Sequence, residues 1–184
     1  MAKKRTAKAP VIKRMDRDTF WKIIDWSRER ASGDAEQREI VHEILLTLTP
    51  QEIIEFERHA FECLVEAYRW DLWAVAYIIN GGCSDDGFLY FRCWLLAQGR
   101  KFFEAALKDP PRAADGVEDM DEAEGDLPFV IYGAYQEKTG EERMPGRRIG
   151  SSQEPDEPKG KPWDEDELPK LYPDLWRRFF GDTE

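Results

Sequence analysis

The sequence predicts an all-α fold: a single compact domain of several helices around a central helical hairpin. Three observations carry this. Apolar residues recur at helical spacing through most of the chain. Thr49-Pro50-Gln51-Glu52 carries the signals of a helix start: a capping threonine, proline at the first position, and a glutamate able to complete a capping box. The densest apolar run, from Trp70 to Gly99, consists of two helix-length arms around the turn-rich GGCSDDG.

Taken in order, a first helix is expected from about Thr19 to Arg30, capped by Asp16 or Asp18. Phe20, Ile23 and Ile24 form its stripe, widened by Trp21 or Trp26, and Ala31-Ser32-Gly33 ends it. A second helix, about Ala35 to Leu48, repeats the pattern with Ile40, Val41, Ile44, Leu45 and Leu48. A third runs from Pro50 to around Tyr68 with Ile53, Ile54, Phe56, Phe61, Leu64 and Val65.

The arm Trp70–Ile79 is apolar on most faces, which predicts burial on several sides. Gly81 suits the left-handed residue that closes a helix. Ser84 or Asp85 caps the next arm, whose first turn holds acids where the helix dipole favours them. Gly99 stops that arm, and a further turn or two follows before Pro110-Pro111. An arginine inside so apolar a helix needs a partner, and the heights along antiparallel arms predict that Asp71 or Asp85 pairs with Arg92.

Residues 115–126 hold seven acids and no base, and a calcium loop starting at Asp119 fails at its fifth and sixth positions, Ala123 and Glu124. A solvated acidic loop or short helix is expected instead. Leu127-Pro128 opens another helix, ended by Gly140. The domain organisation expected is a basic disordered tail at 1–14, a helical domain at 15–140, a flexible linker at 141–167 and a C-terminal segment at 168–184. That last segment should pack back through Leu171, Leu175, Trp176 and Phe179.

Charge narrows the partners. Hydrophobic residues at 41% can form a core, yet the net charge is −11, and without the six basic residues of 1–14 the remainder stands at −17. So acidic a body repels nucleic acid and anionic membrane, so either contact would run through the basic tail. No apolar run reaches the roughly 20 residues of a membrane span. Cys63, Cys83 and Cys93 are odd in number and lack CxxC spacing, which with no export signal suits a cytoplasmic protein with reduced thiols. Cys63 and Cys93 read as inert core thiols; Cys83, near a helix start, is the candidate for a lowered pKa. His42 and His59 have no partners at zinc spacing, and Gly81-Gly82 lacks the remainder of a phosphate loop. No cofactor or metal is expected. The aromatic residues at 70, 73, 77, 88, 90, 91 and 94 are read as core, not as a base-stacking platform.

FWKIIDWSR, the central WDLWAVAYIINGGCSDDGFLYFRCWLLAQGRKFFEAALKDP, AYQEKTGEE and LPKLYPDLW together resemble the uncharacterised bacterial domain-of-unknown-function family numbered 4240, over roughly 16–180. The GGxSDDxFxxFRxWL run is the most specific part of that resemblance, and it implies a focus on Ser84, Asp85, Asp86, Phe88, Arg92 and Trp94. It brings no activity with it. The function expected is an intracellular protein-interaction or regulatory module without chemistry of its own, with a protein partner near Asp85-Asp86 or along 115–126. The rival is an enzyme or small-ligand binder using Asp85, Asp86 and Arg92 in a cleft.

Overall fold

A computed structural model describes residues 14–118, 120, 123–146 and 155–181. The tail expected over 1–14, Arg14 excepted, lies outside the described residues, as do Asp119, Asp121, Glu122, 147–154 and 182–184. The described residues form nine α-helices with short 3-10 turns between them and no strand. None of these helices is long and apolar enough to cross a membrane.

The first helix, α1 (Arg17–Arg28), starts two residues earlier than its apolar pattern suggests. Asp16 is the cap, its carboxylate accepting from the Thr19 amide at 2.9 Å. Phe20, Trp21, Ile23 and Ile24 are buried, while Trp26 stays half-exposed beneath the Arg30 guanidinium. On α2 (Asp34–Thr47), Val41, Ile44 and Leu45 are buried, and the buried Gln37 amide donates to the Ala97 carbonyl at 2.9 Å. For α3 (Pro50–Glu66) the capping box is complete: Glu52 N–H donates to Thr49 Oγ1, and Thr49 N–H to the Glu52 carboxylate.

The apolar centre of the chain becomes α4 (Trp70–Ile79) and α5 (Asp85–Ala97). Their aromatic rings form a stacked series, Trp70–Trp73–Phe88–Phe91–Trp94, with centroids 4.9–6.0 Å apart. Phe88 and Phe91 are wholly buried, and a side chain of that size contributes about 1.5–3 kcal/mol on burial. Phe88, Phe91 and Trp94 are core and Trp73 packs half-buried against it, whereas Trp70 is half-buried and Tyr90, read from the sequence as core, is 40% exposed.

Gly99 has φ +96°, and α6 (Arg100–Lys108) begins after it. The orphan amide of Arg100 is taken by Asp25 of α1 at 2.8 Å, a cap supplied from another helix. A 3-10 turn at Pro110–Gly116 packs against α4 and α6. Leu127–Phe129 forms another such turn before α7 (Val130–Thr139), which packs closely on α2 and closes at left-handed Gly140.

The C-terminal region differs in two ways from its sequence pattern. Inside the stretch read as a linker, Lys159 bridges to Arg69. Its N–H donates to the Tyr68 carbonyl, and its carbonyl accepts from Trp70 N–H at 3.0 Å. Trp163 Nε1 then donates to the Trp70 carbonyl at 2.7 Å. Backbone pairing of this kind has no side-chain period, so composition alone reads as a linker. Beyond it, α8 (Leu168–Leu171) and α9 (Pro173–Phe180) bury Leu168 and Leu175, whereas Leu171, expected to dock, is 53% exposed.

Candidate functional site at the amino end of α5

The turn from α4 to α5 is built by its glycines and one serine. Gly81 takes φ +65°, and the Gly82 amide reaches back to the Tyr77 carbonyl at 2.8 Å, closing α4. Trp73 Nε1 holds the Cys83 carbonyl at 2.9 Å. Ser84, not Asp85, caps α5: its hydroxyl accepts from the Gly87 amide at 3.2 Å. Asp85 and Asp86 therefore occupy the first helical turn, both exposed, where the dipole stabilises them.

Arg92 lies two turns further along, about 10 Å away by helical rise, and is only 3% exposed. Its Nη1 donates to the Leu64 carbonyl at 3.0 Å. That carbonyl sits in the last turn of α3, where the Tyr68 amide bonds to Val65 instead and leaves it open. The guanidinium also lies over the Tyr68 and Phe88 rings, 4.6 and 5.2 Å from their centroids. Arg92 thus closes the carboxyl end of α3 from inside α5, a position that also suits a cation to the helix dipole.

Asp71 does not reach it. The Asp71 carboxylate accepts from Arg69 through both the Nε and Nη2 donors, and from the Leu72 amide at 2.8 Å. Arg69 also donates to the Leu107 carbonyl at 2.7 Å, so this pair ties the start of α4 to the end of α6. The expected Asp71 or Asp85 pairing with Arg92 is replaced, because an arginine two residues from Asp71 reaches it first.

The Cys83 thiol, expected to be acidified, shifts the other way. Burial and the nearby Glu124 carboxylate push it up to about 12, with Asp85 adding to the shift. Burial likewise puts Cys63 at about 12.

The end of the acidic segment, residues 123–126, lies along this helix. Ala123 is fully buried with its carbonyl accepting from Asn80, and the Gly125 amide donates to Tyr90 of α5 at 3.1 Å. A Cβ on Gly125 would sit 3.0 Å from the Trp94 Cα, so the segment and α5 are in direct backbone contact. Trp94 beneath it is 4% exposed, with its ring edge-on to Phe102. This docking leaves little signal in the sequence, since one alanine and one glycine among acids have no apolar period.

Ser84, Arg92 and Trp94 are thus absorbed into helix ends and core. Asp85 and Asp86 face solvent and make no ion pair among the described residues. The structure does not bring these two acids together with the Arg92 guanidinium. Nor do three His, Cys, Asp or Glu side chains gather as a metal site requires, among the described residues.

No curated protein and no solved structure matches the chain. Residues 15–137, from the entry to α1 into α7, match the family described as protein of unknown function (DUF4240), and the chain belongs to that family.

Proposed function

We propose that the chain is an intracellular interaction or regulatory module that offers an acidic surface to a basic protein partner and performs no chemistry itself. The observation that supports this reading is the division of labour on α5. Arg92 is buried against the end of α3, while Asp85 and Asp86 are exposed two turns away. An acid–base or anion-binding centre would need the three to face one another across a cleft. A body at −17 outside its basic tail favours basic partners and speeds their encounter. Three free cysteines, two of them buried, fit a reducing compartment.

The test is affinity capture from native lysate with the wild type and Asp85→Asn/Asp86→Asn, after matched melting curves. The reading expects a salt-sensitive partner that the variant holds less well. Identical partners with both proteins would remove the α5 tip as the binding site.

A further inference from the structure

The acidic surface has a second feature, lined by none of the α5-tip residues. A surface cavity of about 590 Å³ opens between α2 and the segment entering α7. Phe129 and Val130, both half-buried, line it beside Ala35. Tyr90, 40% exposed, extends the aromatic surface, its ring centred 6.3 Å from that of Phe129.

The charges around the cavity are unevenly matched. Arg38 is taken by Asp126, and His42 faces Glu137 of α7 at 3.4 Å. Glu39 and Glu43, one helical turn apart on α2, are exposed and make no ion pair or hydrogen bond among the described residues. Arg38 is already neutralised, so among the described residues the opening is left with two unmatched carboxylates beside an aromatic wall. That combination suits a side chain with an aliphatic stem and a cationic head. The stem can lie on Phe129 and Val130, with the cation near Glu39 and Glu43 and within reach of a ring face.

We infer that this cavity docks a lysine or arginine side chain of a basic segment in a partner protein. The inference rests on the interaction-module reading and gives it a definite place. Asp126, at the edge of the cavity, follows directly on Gly125, whose amide bonds to Tyr90 of α5, so the cavity adjoins the acidic end of that helix.

The test is fluorescence anisotropy with a labelled Arg-Ala repeat peptide and its Gln-Ala counterpart, in about 0.15 M salt, where long-range attraction is screened. The wild type should bind the arginine peptide and not the glutamine one. Glu39→Gln/Glu43→Gln should weaken binding by about tenfold, from the loss of two partly exposed charge contacts. Asp156→Asn/Glu157→Gln, a charge-matched change at exposed acids that do not line the cavity, should leave it within about twofold. Phe129→Leu, which retains apolar bulk but no ring face, should weaken it by a few-fold. Full binding by the Glu39/Glu43 variant, or equal weakening by both acid-pair variants, would overturn the cavity while leaving a basic partner in place. No binding of the arginine peptide by the wild type would overturn the cavity and the basic-partner reading together.

Discussion

Arg92 is a full positive charge set among Phe88, Phe91, Cys93 and Trp94, and the fold accommodates it by giving it work at a helix end. It satisfies the open Leu64 carbonyl and lies over two aromatic faces. Arg92→Ala would leave that carbonyl without its donor and remove both ring contacts, an expected loss of about 3 kcal/mol in chemical denaturation. Ser84→Ala removes only the α5 cap and should cost about 1 kcal/mol. The thiols give a pH signature. Cys63 and Cys83 stay protonated in the fold up to about 12, against an ordinary value of 9.0. The unfolded chain therefore releases their protons first. Their contribution is fully present below pH 9 and is lost as pH rises from 9 toward 12. Urea midpoints of wild type and Cys83→Ala across that range should show a shallower fall in the variant. An equal fall would refute the assignment at Cys83.

At the scale of elements, helix starts are secured from within and from other helices. Thr49 and Glu52 cap α3 locally, and that box is legible in four consecutive residues. Asp25 caps α6 from α1, seventy-five residues away in sequence, and nothing local announces it. Gly99 makes this possible: at φ +96° an added Cβ would lie 2.6 Å from the Asp25 carboxylate oxygen. Gly99→Ala should destabilise by about 1–3 kcal/mol through backbone strain and a displaced cap. Asp25→Ala should cost about 1 kcal/mol, and the double variant less than the sum, because both changes act on one contact. A double-mutant cycle that adds fully would show the two to be independent.

Across the whole molecule, the periodic helices were legible and the connections between them were not. Phe20, Ile23 and Ile24, or Ile53, Phe56 and Leu64, repeat at helical spacing and are all buried. Ala123, Gly125, Lys159 and Gly160 make contacts through backbone or small side chains, which leave no such pattern. The same limit applies to charge: Asp71 could be placed on α4, but choosing between Arg69 and Arg92 requires the direction of each side chain. The region after Pro155 belongs to the fold through Lys159, Trp163, Leu168 and Leu175. Truncation after Gly146 should therefore lower stability by about 3–5 kcal/mol, chiefly from the two buried leucines, and expose α4.

The α5 motif holds the fold through Arg92, and in the interaction-module proposal it leaves Asp85 and Asp86 to a partner. Side-by-side urea unfolding of Arg92→Ala and Asp85→Asn/Asp86→Asn tests it most directly. The first should lose about 3 kcal/mol and the second no more than about 1 kcal/mol, the weak dipole contribution of exposed first-turn acids. Equal losses, or a larger one for the acid pair, would contradict it and make Asp85 and Asp86 part of the fold's framework.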